Sequence, residues 1–276
     1  MSFDPTEVIE EILGTRAKSG FQPAAHGYRC PFIERTCIKR STADKKNPYP
    51  VCSLRKSSGA VVAVCPKRFY ERDFLQDVIE HAWTGPKPTN PIITSEVKME
   101  GFGNVDFVIS DMAEDGTIKQ FVSVELQAID ITGSARPAYE AILAGDLLPK
   151  RPTYNFNWKN VAKRYMNQLI SKGYYHHHWG TKIVASIQDE VYDYFRKDAD
   201  FFTTTDINAT NVNIVFMVYG FEPGGNDGRE QKLVLKRVEG THHSNLQQAV
   251  LYKTAPSRDA FVHRIRSAMI RSQQKV

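Results

Sequence analysis

Two acidic residues on neighbouring apolar runs carry the chemistry that the sequence suggests. Asp106 lies in one β-branched run and Glu125 in the next, with a turn at residues 113–116 between them. Such a pattern predicts a hairpin that brings the two carboxylates together. Carboxylate oxygens are hard ligands of the kind that Mg²⁺ prefers. The sequence therefore predicts a magnesium site suited to phosphodiester hydrolysis.

Further polar residues accompany these two acids. Side chains alternate between the faces of a strand, so Ser123, Glu125 and Gln127 point the same way. Gln127 can orient a water molecule or a phosphate, but it cannot act as a base or a cation. Glu96, on the preceding predicted strand, offers a third carboxylate. Taken singly, each acid fits a solvated sheet face; three polar groups in an apolar run favour a functional lining.

All four cysteines lie in the first quarter of the chain: Cys30, Cys37, Cys52 and Cys65. Their spacing does not match the paired C-x-x-C of a zinc ribbon, so the clustering, and not the spacing, suggests a metal. Four thiolates in a tetrahedron suit Zn²⁺ or a single iron, and ligand softness does not choose between them. Disulfides are disfavoured for a chain expected in the cytoplasm, and buried cysteines without a metal remain the alternative.

Positive charge is concentrated in the same part of the chain. Residues 29–68 contain ten Lys or Arg and two acidic residues, although the whole chain has a net charge of only +5. An anionic partner is therefore expected there, and DNA is the candidate because its phosphates bind Lys and Arg. A solvated loop surface is the alternative. The candidate DNA-binding residues are Arg29, Arg35, Lys39, Arg40, Arg55 and Lys56.

Length and composition indicate a globular protein. The chain has 276 residues, 41% of them hydrophobic and 24% charged. No apolar stretch approaches the roughly 20 residues that span a bilayer. The acidic start of the chain does not resemble a secretory signal, so a cytoplasmic location is expected. We expect an N-terminal basic region with a four-cysteine metal-binding site (residues 1–68) and a catalytic domain (residues 69–276).

Periodicity predicts a mixed α/β sheet flanked by helices. Helices are expected at residues 6–13, 69–83, 158–172 and 257–275, and strands at 92–99, 105–110, 117–129, 182–187 and 212–219. The first three strands form a predicted meander, and residues 133–157 a connection interrupted by Gly and Pro. The histidine run 176–178 is expected in an exposed loop, and Lys172 on a basic, outward-facing helix flank. The glycine-rich residues 224–228 are expected to form a hairpin turn.

The acidic motif resembles that of a known nuclease superfamily. An acidic strand residue, then Asp106, then Glu125-x-Gln127 resembles the PD-(D/E)xK superfamily, with Gln127 in place of the usual lysine. The longer run VSVELQAIDITG at residues 122–133, with four cysteines upstream, is similar to the NotI family of type II restriction endonucleases. The resemblance implies that Asp106, Glu125 and Gln127 are catalytic, that Glu96 is an accessory acid, and that the cysteines hold a structural iron.

The same resemblance implies an activity and its partners. It implies a PD-(D/E)xK endonuclease core, and a homodimer that cuts both strands of a GC-rich palindromic DNA site with Mg²⁺. The products would carry 5′-phosphate ends, and a companion DNA methyltransferase would protect the host. Two other functions stay open: a repair or recombination nuclease with the same core, and a non-catalytic, metal-stapled DNA-binding protein whose acids are structural.

Overall fold

A six-stranded mixed sheet forms the centre of the protein. The computed structural model describes residues 2–224, 230–253 and 255–273. The strands of the chain are β1 (Ile9–Ile12), β2 (Thr15–Arg16), β3 (Arg29–Cys30), β4 (Arg35–Thr36), β5 (Val51–Arg55), β6 (Val61–Ala63), β7 (Pro91–Met99), β8 (Gly103–Met112), β9 (Ile118–Gln127), β10 (Ile131–Gly133), β11 (Tyr154–Phe156), β12 (Lys182–Gln188), β13 (Ile214–Gly224) and β14 (Glu230–Thr241). The central sheet has the order β14-β13-β12-β9-β8-β7.

Six α-helices are described, together with short 3₁₀ helices at Pro5–Glu7, Pro23–His26 and Pro66–Glu71. The α-helices are α1 (Phe74–His81), α2 (Arg136–Ala144), α3 (Trp158–His178), α4 (Asp189–Asp198), α5 (His243–Leu251) and α6 (Arg258–Gln273). None of these helices is long and apolar enough to cross a membrane.

The central sheet joins an antiparallel half to a parallel half at β9. Strands β7, β8 and β9 form the predicted antiparallel meander. Strand β12 lies parallel to both β9 and β13, and β14 closes the far edge antiparallel to β13. The mixed sheet flanked by helices is therefore confirmed. The predicted hairpin turn at residues 224–228 lies largely outside the described residues.

Helices cover both faces of this sheet. Apolar residues of α3, α4 and α5 pack on one face, and α1 with Phe69 packs on the other. All seven residues of β12 are buried, as expected of a parallel strand covered on both sides. The helix predicted at residues 69–83 is divided, because Asp73 caps a new helix by accepting the N–H of Gln76 at 3.1 Å.

The N-terminal region forms a sheet of its own, in the order β2-β1-β5-β6. The helix predicted at residues 6–13 is wrong: a 3₁₀ turn is followed by β1, which pairs antiparallel with β5. All four residues of β1 are buried, including Glu10 and Glu11. A short apolar run does not separate a helix from a buried strand by its period, and pairing with β5 decided the outcome here.

The core of this region extends beyond residue 68. Val8 and Leu54 belong to a buried cluster that also contains Tyr139 and Leu148, from the segment predicted to be a connection interrupted by Gly and Pro. That segment contains α2, and its β11 pairs with β10. The domain boundary between residues 68 and 69 stays a prediction. Residues from both sides of it contribute to this one buried cluster.

Helix α3 is longer than predicted. The structure extends it from Lys172 to His178, so the histidine run forms its last turn. His176 is fully buried, and the expectation of an exposed loop is wrong for this residue. Lys172 is 1% exposed, so its predicted place on an outward-facing flank is also wrong.

A buried ion pair ties the N-terminal sheet to the central sheet. Arg68 is fully buried, and its Nε donates to Glu11 at 3.0 Å. Its Nη1 donates to Glu71 at 2.5 Å, and its Nη2 to the carbonyl oxygen of Gln231 in β14 at 2.9 Å. One guanidinium thereby connects three segments that lie far apart in sequence.

Replacing Arg68 with alanine should destabilise the fold strongly. The change leaves the buried carboxylate of Glu11 without a counter-charge, for which we expect a loss of about 3–5 kcal/mol in the free energy of unfolding. Urea denaturation of both proteins measures the difference. The matched control is Lys253→Ala, which removes a pair whose partners are 44% and 47% exposed; its effect should stay within about 1 kcal/mol. Equal effects of the two substitutions would contradict the connecting role of Arg68.

Candidate active site

The two candidate acids lie where β8 and β9 stop pairing. The antiparallel ladder between these strands begins at Phe107 and Val124 and runs away from the site. Before that point β8 is paired with β7 alone, and after it β9 is paired with β12 alone. Asp106 and Glu125 are the next residue on each side. The structure therefore brings both acids to a fork between two strands, as the hairpin argument predicted.

Asp106 bridges this fork with its side chain. Its Oδ2 accepts the backbone N–H of Leu126 at 2.8 Å. A side-chain acceptor thus replaces the ladder partner that the N–H would otherwise have. The contact also fixes the carboxylate of Asp106 beside the strand that carries Glu125.

A lysine from α3 occupies the other side of the fork. The Nζ of Lys172 forms an ion pair with Oε1 of Glu125, and it donates to the carbonyl oxygen of Asn104 in β8 at 2.7 Å. The side chains of Lys172 and Glu125 are 1% and 8% exposed, so water screens this pair very little. The ammonium therefore joins β8, β9 and α3 at one point.

The rest of that helix face is built around the same strand. The hydroxyl of Tyr165 donates to the carbonyl oxygen of Glu125 at 3.0 Å. Nε2 of His176 lies 2.7 Å from Oγ of Ser123. Tyr165, Lys172 and His176 are spaced seven and four residues apart, which places them on one stripe of the helix. The polar face of β9 that the sequence predicted thus has a polar helix stripe opposite it.

Glu96 stands at the entrance to the fork. It is exposed, accepts Nδ2 of Asn104 at 3.2 Å, and has a φ of 55° in the left-handed region that non-glycine residues rarely adopt. A cavity of about 500 Å³ is lined by Glu96, Asp106 and the basic residues Arg35 and Lys67. Basic groups from before residue 69 and acidic groups from after it therefore meet in one opening.

Gln127 is buried on the same side of β9 as Glu125, as predicted, but its amide is engaged. Its Nε2 donates to the carbonyl oxygen of Ala128. In this conformation the side chain does not reach the acids, and orienting a water molecule there requires a rotation about its side-chain torsions.

Burial and mutual repulsion change the acidity of the site. Burial raises the pKa of Glu125 to about 7; Asp106 and Glu96 add to the rise, and contact with Lys172 limits it. Burial also raises the pKa of Asp106, and the negative charge of Glu96 contributes. Three carboxyl groups share one ammonium here, so the site would carry excess negative charge when the acids are ionised. The donor chemistry therefore fits a hard divalent cation, which Asp106 and Glu125 would hold.

The structure also brings the four cysteines together in the N-terminal region. All are buried free thiols: Cys30, Cys37, Cys52 and Cys65. Cys65 influences the pKa values of Cys37 and Cys52 electrostatically, which reflects their proximity. Among the described residues, the triplets of potential ligand atoms within 4.8 Å of one another include no cysteine. The chemistry of the thiols fits a soft or borderline metal, whose binding would draw them closer.

Lys39 is half-buried in the same place, with its ammonium directed inward. Its Nζ donates to the carbonyl oxygens of Val51 at 2.7 Å and Val64 at 2.9 Å. Burial lowers the pKa of this amine, and the neighbouring thiols act in the opposite direction. Because its ammonium faces inward, we do not include Lys39 in a DNA-binding surface.

Comparison with known proteins assigns the family. The model of the family described as "Restriction endonuclease NotI" matches residues 12–233 of the 276. The chain belongs to the NotI restriction endonuclease family. Neither the curated proteins nor the solved structures gave a match. Membership makes the chain a nuclease that acts on DNA, and the strand fork, Lys172 and all four cysteines lie within the matched residues.

The candidate DNA-binding residues of this NotI-family chain differ in their availability. Arg29 and Arg35 are exposed, and Arg35 lines the cavity beside the fork. Arg40 donates to two backbone carbonyl groups. Arg55 and Lys56 form ion pairs with carboxylates. Of this set, Arg35 therefore brings positive charge to the entrance of the fork, where a further lysine at position 67, absent from the predicted set, adds to it.

Replacing Lys172 with methionine should make Glu125 a weaker acid. Burial raises the pKa of Glu125, and the ammonium of Lys172 limits this effect. Because the substitution removes the ammonium, we expect the pKa to increase above its value of about 7. At neutral pH the carboxyl group would then be mostly protonated, and Mg²⁺ binding would need a more alkaline solution. Carbon-13 NMR titration of the Glu125 carboxyl group measures this directly. Lys163→Met, at an exposed position of the same helix, is the control and should leave the pKa unchanged.

Proposed function

We propose that this chain is a Mg²⁺-dependent type II restriction endonuclease, which hydrolyses both strands of a GC-rich palindromic DNA site and leaves 5′-phosphate ends. The observation that carries the proposal is the fork between β8 and β9, where half-buried Asp106, buried Glu125 and buried Lys172 converge beside an open cavity. Membership of the NotI family supports DNA as the substrate. The polar groups at the fork agree with the nuclease core that the motif resembles.

Each residue has a distinct part in this proposal. Asp106 and Glu125 would hold the cation, and Glu96 adds negative charge at the entrance. When bound, Mg²⁺ supplies polarisation of the scissile phosphate and a more acidic water molecule. Arg35 and its neighbour Lys67 attract the DNA backbone to the cavity through their positive charge. Gln127, once rotated away from the carbonyl group that it now contacts, orients the attacking water by hydrogen bonding.

Lys172 supplies the positive charge that Gln127 cannot provide. Its ammonium lies at Glu125 and is held by the carbonyl oxygen of Asn104. From that position it limits the rise in the pKa of Glu125, and it places a hydrogen-bond donor at the fork. The amide of Gln127 and the ammonium of Lys172 would thus together perform the functions of the single lysine in the usual PD-(D/E)xK motif.

We further propose that Cys30, Cys37, Cys52 and Cys65 hold one structural metal ion, with iron as the first choice and zinc as the alternative. Their burial and mutual electrostatic influence support a common site. A metal there would hold the β3–β4 hairpin, which carries Arg35, against Cys52 in β5 of the N-terminal sheet. The positive charge at the cavity would then depend on an intact cysteine site.

Cleavage of a palindrome calls for two equivalent sites. Each chain contains one fork, so we propose a homodimer in which each subunit cuts one strand. A DNA methyltransferase of the same specificity is the proposed companion, because it would protect host DNA from the enzyme.

Purified protein should cut unmethylated, GC-rich phage DNA into discrete fragments in Mg²⁺ and leave it intact in EDTA. Gel electrophoresis and sequencing of the fragment ends test this. Ends that share one palindrome and carry 5′-phosphates support the proposal. A smear would instead favour a repair or recombination nuclease, whereas binding without cutting would favour the metal-stapled DNA-binding protein.

Glu125→Ala should abolish cleavage, with a loss of at least about 100-fold in rate, while DNA binding in a gel shift is retained. The matched control is Glu114→Ala, which removes an exposed acid in the turn between β8 and β9 and should cut at the normal rate. Normal cleavage by Glu125→Ala would refute the assigned site.

Metal analysis by mass spectrometry should find one iron or zinc per chain, which Cys37→Ser should lose. Visible absorbance separates the two metals, because thiolate-bound iron is coloured and thiolate-bound zinc is not. A wild-type protein that contains neither metal would contradict the proposed cysteine site.

A further inference from the structure

Two histidine runs that are distant in the sequence meet at one end of the molecule. His176, His177 and His178 form the last turn of α3, whereas His242 is the N-cap of α5 and His243 begins that helix. Five of the eight histidines of the chain are therefore neighbours. The proposed nuclease site uses none of the histidines at positions 177, 178, 242 and 243.

Three of these rings point their nitrogens toward one another. Potential ligand atoms of His177, His242 and His243 all lie within 4.8 Å of one another. Nδ1 of His177 and Nε2 of His242 are 3.3 Å apart. Two nitrogens bound to one tetrahedral zinc at 2.0–2.1 Å lie about 3.3–3.4 Å apart, so this pair already has the required separation.

The start of α5 holds the ring of His242 in place. Its Nδ1 accepts the backbone N–H of Ser244 at 3.3 Å and lies 2.7 Å from Oγ of the same residue. These contacts orient the ring so that Nε2 faces His177. Binding of a metal at Nε2 would move the ring proton to Nδ1, where Oγ of Ser244 would accept it.

His243 has a different environment. Its Nδ1 lies 2.9 Å from Nδ2 of Asn213, whose amide also donates to the carbonyl oxygen of Gly173 at 2.7 Å. The amide therefore donates to Nδ1, and the proton of neutral His243 is on Nε2. The assignment of ligands accordingly rests on His177 and His242, with His243 as the adjacent ring.

Solvent can reach this pair of rings. His177 is exposed and His242 half-buried, so a dissolved ion has access to the two facing nitrogens. Neutral imidazole is the form of the ring that binds a metal.

We propose that His177 and His242 form a binding site for a divalent transition metal of the imidazole-preferring class, such as Zn²⁺ or Ni²⁺, at the junction of α3 and α5. The site goes beyond the proposed nuclease activity and does not depend on it. It connects α5, which lies outside the residues matched by the family model, to the helix that carries Lys172. A metal there fixes the C-terminal segment to the helix of the active site.

The test uses full-length protein without a histidine tag, treated with EDTA and then titrated with Zn²⁺. Nitrogen-15 NMR of the histidine side chains should show binding shifts at Nδ1 of His177 and Nε2 of His242. Calorimetry should show that His177→Ala and His242→Ala each weaken this binding by at least about tenfold. The matched control is His263→Ala, on an exposed position of α6, which should bind as the wild type does.

The readouts separate this site from the cysteines and from cleavage. Zn²⁺ bound at the cysteines leaves the two ring nitrogens unshifted, so heat of binding without those shifts overturns the proposal. Unchanged affinity in both alanine variants overturns it as well. Loss of DNA cleavage has no bearing on either measurement, because neither requires DNA.

Discussion

The end of the ladder between β8 and β9 is the constraint around which this protein is organised. Where two strands separate, their backbone groups lose their partners and must be satisfied in another way. Here the carboxylate of Asp106 takes the N–H of Leu126, and the ammonium of Lys172 takes the carbonyl oxygen of Asn104. Charged side chains thus serve as ladder partners, and for that reason they converge at this point.

The contact between Lys172 and the strand fork determines the position of α3. The helix must present Lys172 to the fork, and its neighbours Tyr165 and His176 fix the rotation through their contacts with Glu125 and Ser123. The buried ion pair of Lys172 and Glu125 contributes little net stability by itself, since removing two charges from water costs about as much as their attraction returns. Its value lies in specifying one arrangement of helix and strand.

The sequence predicted the strands of the site well, because their signal is local. Asp106 and Glu125 lie on strands with clear β-branched runs, and the turn between them is marked by Gly116. The final glycine of the run at residues 122–133 also has a physical cause: at Gly133, φ is 78° and a Cβ would lie 2.4 Å from the carbonyl oxygen of Thr153. Such a steric requirement is visible in a single sequence as a glycine.

The burial of Lys172 was not predicted, because its environment depends on a strand that is distant in the sequence. A lysine near the end of an amphipathic helix normally faces water, although the spacing from Tyr165 through Leu169 placed it on the buried stripe. The strand β1 was mistaken for a helix for a related reason, since only its pairing with β5 identifies it. Buried charges such as Arg68 and Glu11 likewise become intelligible only when both partners are known.

The backbone of Glu96 has an effect on the surface of the protein as well as on its acids. Strand β7 is an outer edge of the central sheet, with most of its residues exposed. A straight, unpaired edge invites another polypeptide to add to it, and natural proteins avoid this with charges and irregularities. The left-handed φ of Glu96 interrupts β7 at its middle, and the carboxylate places a charge at the interruption. The residue that adds negative charge to the fork thereby also protects the sheet against aggregation.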